Sequence, residues 1–421
     1  MATGEARPPV EDWATDYDIF DPAYFTDPGP IWADLRQRCP VAHSERWGGS
    51  WLPTRYEDVA EMARMVPALS NQEFIVVPPV PLIDPATGEV LRARPHAPPI
   101  SSDPPFHGLA RRLLLQAFSP QAVAEFEPYT RELAHRLIDE FAGKGQCDAA
   151  VQFAQQIPPK VIAHLMGLDE NMGDTFIEWV RGVLEQGATD PELRVATGLK
   201  MLDFWTEEIG RRRAEPTGDF ISWMLEQDLD GEPVDDLHVT STCNLLLVAG
   251  IDTTWSSIGA AVWHLATHPD DRERLVKEPE LIPTAVEELL RVYSPVTMGR
   301  LATEDVTVNG VTIPAGSRVL MNFPAANRDP EVFPDPDTVV LDRAHNRHVA
   351  FGIGIHRCAG SNLARMEMQV ALSVFLERIP EFHLDDTREL HLPPEKRKPV
   401  VTWCGGQVRG PRSIPLVFTT S

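Results

Sequence analysis

The chain has 421 residues, with 38 lysines and arginines against 62 aspartates and glutamates, which gives a formal net charge of −24 at pH 7. So acidic a surface repels phosphate backbones and anionic membranes, which argues against nucleic acid and membranes as partners. The five cysteines are odd in number and form no CxxC pair, which favours reduced thiols in a cytoplasm over a disulfide framework.

The N-terminal part of the chain has the pattern of a scaffold. Residues 1–13 are polar and have no apolar core of signal-peptide length, which predicts a soluble, cytoplasmic protein. No Gly/Ser linker, repeat or low-complexity run divides residues 1–421, so we expect one domain. The pattern of residues 21–38 predicts an amphipathic helix, and residues 51–64 predict a short strand followed by a helix.

A long stretch between Leu69 and Pro105 has no hydrophobic period and mixes apolar residues with prolines. A loop of this length inside a compact domain is typically functional. From residue 125 to residue 235 the chain then predicts successive amphipathic helices, none of which carries catalytic spacing.

The helix that follows the loop carries a pair of hydrogen-bond donors. Pro104 and Pro105 open this helix, and His107 and Arg111 lie four residues apart on one of its faces. Both side chains can donate to an anion. An isolated pair of this kind is also typical of a solvated helix edge, so the residues alone leave both interpretations open.

The stretch from residue 236 to residue 269 predicts a helix that crosses the core. Apolar residues lie all round it, and Asp252 is its only acidic or basic residue inside the ends other than histidine. At 1.5 Å per residue such a helix spans roughly 45 Å. It is not a membrane span, because its longest apolar run, LLLVAGI, is too short.

The middle of this helix can open into a groove. The hydroxyl of Thr253 can bond the carbonyl of Ala249, with Gly250 beside it. A lone buried carboxyl is costly unless it is hydrogen-bonded or useful, and Asp252 can pass protons through water or through the Thr253 hydroxyl as a general-acid relay. The alternative is an internal polar pair that only bends the helix.

Further along, Glu288 and Arg291 lie three residues apart on a predicted helix. Such a pair is commonplace and contributes only about 0.2–0.5 kcal/mol to an isolated helix. The alternating residues 301–323 then predict strands joined by turns at Asn309-Gly310 and Ala315-Gly316.

The run from Val349 to Leu363 places glycines 352, 354 and 360 around Cys358. Glycines in this number let a flat ligand approach the backbone. A helix that begins near Gly360 points its N-terminus at the sulfur, which favours the thiolate. The alternative is a buried structural cysteine in a glycine-rich turn.

Four motifs in order resemble the cytochrome P450 family. The haem-binding signature is matched at Phe351, Gly352, Gly354, His356, Cys358 and Gly360, the acid-alcohol motif at residues 249–254, and the Glu-x-x-Arg motif at Glu288 and Arg291. The helix of His107 and Arg111 is similar to the one that holds a haem propionate. The resemblance implies a mainly α fold with a minor β region, with a long central helix that crosses over haem b, and Cys358 as the iron ligand.

The resemblance also assigns roles to single residues. Asp252 and Thr253 are the expected catalytic pair, and Glu288 with Arg291 is a structural ion pair. The residues expected to contact haem are His107, Arg111, Arg300, His356, Phe351, Gly352, Ala249 and Gly250. The residues expected to meet substrate are Phe74, Ile75, Val76, Leu245, Val248, Val296, Thr297, Gln407 and Val408.

The implied activity is that of a haem-dependent monooxygenase of the soluble bacterial type. It inserts one oxygen atom from O2 into a C–H bond of a small hydrophobic organic substrate, with electrons from a ferredoxin and its reductase. Because such ferredoxins are acidic, docking needs a local basic patch on the cysteine side, for which we expect Arg112, Arg343, Arg347 and Arg357. The alternatives are a peroxide-using peroxygenase and a non-catalytic haem gas sensor.

Overall fold

The computed structural model describes residues 7–83, 87–92, 96–387 and 399–420. In these ranges the α-helices are α1 (Trp13–Asp16), α2 (Pro22–Thr26), α3 (Gly29–Arg38), α4 (Tyr56–Met62), α5 (Phe106–Ala117), α6 (Pro120–Ala124), α7 (Glu127–Asp139), α8 (Ile157–Leu165), α9 (Gly173–Val180), α10 (Gln186–Thr189), α11 (Pro191–Ala214), α12 (Phe220–Leu225), α13 (Asp236–Thr267), α14 (Pro269–Lys277), α15 (Ile282–Val292), α16 (Phe323–Ala326) and α17 (Ser361–Arg378).

The strands are short and contain fewer residues in total than the helices. They are β1 (Val41–Ser44), β2 (Ser50–Pro53), β3 (Leu69–Ser70), β4 (Leu82–Ile83), β5 (Val90–Arg92), β6 (Gln146–Asp148), β7 (Asp228–Leu229), β8 (Glu232–Pro233), β9 (Met298–Ala302), β10 (Val306–Val308), β11 (Val311–Ile313), β12 (Arg318–Met321), β13 (Phe382–Leu384), β14 (Thr402–Cys404), β15 (Gly410–Ser413) and β16 (Pro415–Phe418). The predicted class, mainly α with a minor β region, is confirmed.

Helix α13 is the element on which the other helices assemble. Its 32 residues correspond to about 48 Å. The Asp235 carboxylate accepts from the amide of His238 and caps its start, and Pro269 follows just after its end. Of the helices in the described ranges, α13 is the one that is long and apolar enough to cross a membrane, yet 78% of its apolar window is buried inside the protein, as in the core helix of a globular protein.

The main hydrophobic core surrounds α13. Helices α8 and α17 pack directly on it, and fully buried side chains such as Trp205, Trp255 and Phe375 fill the space between the helices. A second core lies under a five-stranded sheet with the order β1-β2-β12-β9-β3, in which β12 runs parallel to β2 and the other neighbours are antiparallel. The sheet supports one side of the cavity described below.

Two regions differ from the sequence prediction. Residues 21–38 form two helices rather than one, because the sequence Asp27-Pro28-Gly29-Pro30 interrupts the first and starts the second. The stretch between Leu69 and Pro105 is not an unbroken loop, since it contains β3, a 3-10 turn at Asn71–Glu73, β4 and β5. The predicted turn at Asn309-Gly310 is confirmed, and both residues have positive φ.

Candidate active site

One cavity lies between α13 and the loop that carries Cys358. It contains about 1410 Å³ of empty space, part of which is continuous with solvent. Most of the accessible surface of its wall is apolar.

The cysteine loop is held in shape by its own backbone. The amide of Cys358 donates to the carbonyl of Phe351 at 2.8 Å, and the amide of Gly352 donates to that of Val349 at 2.9 Å. Gly354 has a φ of +78°, and a methyl group at this position would lie 3.0 Å from the carbonyl oxygen of Ala63. The loop is thus pressed against the end of α4, and α17 begins directly after it.

The exposed surface of Cys358 faces this cavity. Burial raises the pKa of the thiol, while the amide of Gly360 and the charges of Arg111, Arg357 and Arg365 lower it, and burial prevails. The sequence-based expectation that the chain itself keeps the sulfur anionic is therefore not met, because the helix N-terminus and the arginines do not offset desolvation. A bound metal ion deprotonates a coordinating thiol outright.

Arg111, Arg300 and His356 line one edge of the cavity, and His107 packs against His356 outside the lining. The rings of His107 and His356 lie 4.2 Å apart, and Nε2 of each is buried without a hydrogen-bond partner. Arg300 is buried, its Nε has no partner, and Nη1 donates only to the carbonyl of Gly299. Arg111 donates to the carbonyl of Arg357. No salt bridge to any of the four occurs in the described part of the chain, so these donors are available to an anionic ligand.

The electrostatics of this cluster point the same way. Burial lowers the pKa of Arg300 to about 10. Burial, followed by the charges of Arg300, His107 and Arg111, lowers the pKa of His356 to about 2. His356 is therefore neutral, and the positive charge rests on the two arginines. An added carboxylate would relieve this uncompensated charge.

The Thr253 turn has the predicted geometry. The Thr253 hydroxyl donates to the carbonyl of Ala249 at 2.8 Å, and Thr253, Ala249 and Gly250 all line the cavity. Asp252, next in sequence, lies outside the lining and is 2% exposed. Its carboxylate accepts from Arg412 at 2.8 Å and from Ser256 at 3.1 Å. The carboxylate of Asp252 and the hydroxyl of Thr253 therefore do not face the same space, since adjacent helical residues point about 100° apart, and the proton relay through water or the Thr253 hydroxyl stays a prediction.

Arg412 was missed at the sequence level. It also donates to Glu185 at 2.9 Å and to Ser256 at 3.0 Å, so one guanidinium joins α13 to the turn of residues 181–185. Burial raises the pKa of Asp252, and the charge of Arg412 opposes that rise. A lone carboxyl in a buried helix indicates that a cationic partner is present. The sequence does not show where along the chain that partner lies.

The substrate-facing predictions are met in part. Leu245 and Val296 line the cavity. Val248 does not line the cavity and packs instead against the main core.

The other predicted substrate contacts lie behind the lining. Phe74 accepts from the amide of Gly299 through its carbonyl, at 2.8 Å, and Ile75 and Val76 are buried. The same loop reaches the cavity instead through Asn71, Pro99 and Ile100.

The turn near the C-terminus supports the cavity wall without lining it. Thr297 donates its amide to the carbonyl of Gln407 at 3.0 Å, and Val408 forms a β-bridge with Val296. All three predicted contacts, Thr297, Gln407 and Val408, are buried behind Val296. On its other side the turn packs against the N-terminal segment, since Gly406 donates to the carbonyl of Ile19, and Arg409 donates to those of Phe25 and Thr26.

A carboxyl that the sequence analysis did not consider also lines the cavity. Glu367, on α17, is 1% exposed and its Oε2 has no hydrogen-bond partner. Burial raises the pKa of Glu367 well above its ordinary value. Burial therefore favours the uncharged form of this side chain.

The Glu288 and Arg291 pair is fully buried. Arg291 donates through Nε and Nη2 to the two carboxylate oxygens, each at 2.8 Å, and through its other donors to backbone carbonyls of residues 327, 336 and 338. Arg343 also donates to Glu288, at 3.0 Å, and its side chain is 10% exposed. The prediction that Arg343 belongs to an exposed docking patch is therefore wrong. Arg112, Arg347 and Arg357 are exposed as expected.

Comparison with known proteins identifies relatives of the whole fold. The family model described as Cytochrome P450 matches residues 199–402. The chain is 37% identical over 398 residues to the mycinamicin IV hydroxylase/epoxidase of Micromonospora griseorubida, covering 92% of this chain and 94% of the relative. It is 34% identical over 373 residues to the 6-deoxyerythronolide B hydroxylase of Saccharopolyspora erythraea, covering 87% and 92%. Among solved structures, cytochrome P450 CYP109Q5 from Chondromyces apiculatus superimposes with a TM-score of 0.84 at 31% identity, covering 97% of this chain and 99% of that chain.

Proposed function

The chain belongs to the cytochrome P450 family, and on that premise we propose that it is a monooxygenase which inserts one oxygen atom from O2 into a C–H bond of a small hydrophobic substrate, with electrons from a ferredoxin and its reductase. The observation that carries the proposal is that one cavity is lined both by Cys358 and by the Thr253 turn. We further propose that residues 1–421 act as one domain in the cytoplasm.

The residues present fit haem. Cys358 supplies the thiolate ligand, and the unpaired donors of His107, Arg300 and His356, with Arg111, suit the carboxylates of the porphyrin edge. Gly352 and Gly354 have positive φ, and Gly354 has no room for a side chain. When bound, haem supplies the centre at which O2 is reduced and activated.

The chain's own contribution is to position groups and move protons. The Thr253 hydroxyl donates to the carbonyl of Ala249, and Thr253 lines the cavity. Asp252 can reach the same space only when its carboxylate leaves Arg412. In this proposal Thr253 places a donor in the groove, and Asp252 resupplies its proton from the interior.

The substrate proposal rests on the character of the lining. Side chains such as Ile100, Leu245, Val296 and Met298 are apolar. In the lining, Arg111, Arg300 and His356 belong to the edge assigned to the haem carboxylates, and Arg357 belongs to the cysteine loop. This distribution supports an uncharged, mostly apolar organic substrate.

The electron donor is proposed to dock at a basic surface beside the cysteine loop. Arg112, Arg347 and Arg357 are exposed there, and Arg64, also exposed, lies against Gly354. The side chain of Ile355 is 43% exposed in the same loop and supplies an apolar contact. On a protein of net charge −24 such a patch would attract an acidic iron–sulfur ferredoxin.

The test of the function is an optical titration of the haem-loaded ferric protein. Compounds graded in size and polarity are added, and the Soret band is followed for the shift that accompanies loss of water from iron. We expect uncharged apolar compounds to cause the shift and matched carboxylates not to do so. A preference for the carboxylates would contradict the substrate proposal, and failure to bind haem at all would contradict the function.

The role of Thr253 is tested by the coupling of electrons to product. In Thr253→Ala we expect product to fall and hydrogen peroxide to rise at similar electron consumption. The matched control is Thr254→Ala, one residue further on the same helix. Unchanged coupling in Thr253→Ala, or turnover with peroxide alone and none with ferredoxin, would contradict the proposed route.

The docking surface is tested by charge reversal. Arg112→Glu and Arg357→Glu should slow reduction by ferredoxin at least tenfold at low salt, with a smaller difference at high salt because ions screen the attraction. Lys200→Glu, an exposed change on α11, is the control. Equal rates in all variants would contradict the patch.

A further inference from the structure

One residue of the cavity wall belongs to a helix that packs behind α13. Ile162 lies on α8, which packs against α13, and it lines the cavity although it is 1% exposed. No other described residue of α8 contributes to the lining. A core helix thus reaches the cavity through one side chain.

The path of that side chain runs through Gly250. A methyl group placed on Gly250 would lie 2.8 Å from Cδ1 of Ile162 and 3.3 Å from Cγ1, with no other neighbour within 4 Å. Carbon atoms in ordinary contact are about 3.5–4.0 Å apart, so Ile162 occupies the space that a side chain at residue 250 would need. Gly250 has ordinary helical geometry, so its small size rather than its backbone freedom is what matters here.

The filled space adjoins the turn that the proposed reaction uses. Gly250 directly follows Ala249, whose carbonyl accepts the Thr253 hydroxyl, and Thr253 lies less than one turn further along the helix. A change in the volume of Ile162 therefore alters the cavity beside this hydroxyl. Residues on the substrate-facing loops need not move.

We propose that Ile162 is a specificity-determining residue of this cavity: its Cδ1 methyl, seated in the gap at Gly250, sets how large an apolar group fits beside Thr253. The inference rests on the proposed function in so far as the cavity holds haem and substrate. The contact between Ile162 and Gly250 does not depend on that function. The two parts can therefore be tested separately.

The first experiment measures ligand size. A series of 1-alkylimidazoles from methyl to hexyl is titrated into the haem-loaded wild type, Ile162→Val, Ile162→Ala and Gly250→Ala. We expect the preference for hexyl over methyl to rise at least tenfold in Ile162→Ala and less in Ile162→Val. It should fall in Gly250→Ala, because the added methyl and Cδ1 compete for one space.

The control is Ile157→Val, which shortens the same residue type on the same helix, where the side chain is fully buried but does not line the cavity. It should leave the preference within twofold of the wild type. An equal change for all chain lengths in Ile162→Ala, or the same change in Ile157→Val, would overturn the proposal.

The second experiment measures stability rather than ligand binding. Unfolding midpoints of the full chain as purified are compared for the wild type, Gly250→Ala, Ile162→Val and the double variant. We expect the double variant to be more stable than the sum of the single effects, since removing Cδ1 makes room for the new methyl. Additive effects would overturn the contact. Loss of haem binding in every protein, with this coupling intact, would instead contradict the proposed function and leave the contact standing.

Discussion

Two buried glutamates on neighbouring helices have opposite surroundings. Glu288, on α15, is 0% exposed and accepts hydrogen bonds from Arg291, Arg343, the amide of Val340 and Asn346. Glu367, on α17, is 1% exposed, and its buried Oε2 has no partner. At nearly equal burial, one glutamate therefore has several hydrogen-bond donors to its carboxylate, and the other has a buried oxygen without a partner.

The pKa directions follow from the partners. Burial alone would raise the pKa of Glu288, but the hydrogen bonds from Arg291 and from the backbone amide of Val340 outweigh it, and the pKa is lowered. Burial acts without opposition on Glu367 and raises its pKa. The first carboxylate holds the scaffold behind the cysteine loop, whereas the second leaves an uncharged polar group at the cavity wall.

The largest effect is expected on breaking the saturated pair. Arg291→Leu leaves Glu288 with fewer cationic partners, and removal of one partner from a buried pair typically costs about 3–5 kcal/mol. Chemical denaturation measures the free energy of unfolding. Arg347→Leu is the control, because that side chain is 64% exposed. Equal losses in the two variants would show that burial of the pair contributes nothing.

An effect of opposite sign is expected at the isolated acid. Glu367 has a raised pKa in the folded protein, so folding above the ordinary value of 4.5 takes up a proton, and the stability of the wild type falls as pH rises. Glu367→Gln has no such proton uptake. We expect the stability of Glu367→Gln to match that of the wild type near pH 4 and to exceed it increasingly towards pH 7, by about 1.4 kcal/mol for each unit by which folding raises the pKa of Glu367.

The control for this comparison lies on the same helix. Glu377 is exposed, so Glu377→Gln should change the free energy of unfolding by less than about 0.5 kcal/mol. Urea unfolding at several pH values measures both variants. A difference for Glu367→Gln that stays constant or shrinks with rising pH would show that this residue is ionised in the folded protein.

The smallest effect is expected where water screens the charges. Glu127 and Arg131 form an i,i+4 pair on α7 with side chains 49% and 41% exposed. Glu127→Gln should lower the free energy of unfolding by about 0.3–0.5 kcal/mol and less at high salt. Thermal unfolding in low and high salt measures it. A loss above 2 kcal/mol would show that burial is not the reason why the ion pairs of Glu288 and Glu127 contribute differently to the free energy of unfolding.

Local patterns predicted much of the site. The glycines around Cys358 and the bond from Thr253 to Ala249 are both set within a few residues of sequence. Where a contact depends on one turn or one helix, the sequence is informative.

Long-range partners could not be predicted in the same way. Arg412 pairs with Asp252 across 160 positions of sequence, and Arg343 joins Glu288 from a separate segment. The prolines of the stretch between 69 and 105 marked a functional loop but not its path, so Ile100 rather than Ile75 reaches the cavity. These positions depend on how distant segments pack, which no local pattern records.

The packing of residues 405–409 against residues 19–26 has a consequence for biosynthesis. Residues 405–409 are held on one side by residues 19–26 and on the other by the segment that carries Val296. About 380 residues separate the two partners, and at about 5–20 residues per second their synthesis takes about 20–80 s. During that interval the N-terminal segment can already pack on side chains such as Ala42, Leu52 and Val77, but the carbonyls of Phe25 and Thr26 lack their Arg409 donor and the cavity wall lacks its backing. Stable enclosure of haem is therefore a late event, completed only after residue 409 has left the ribosome.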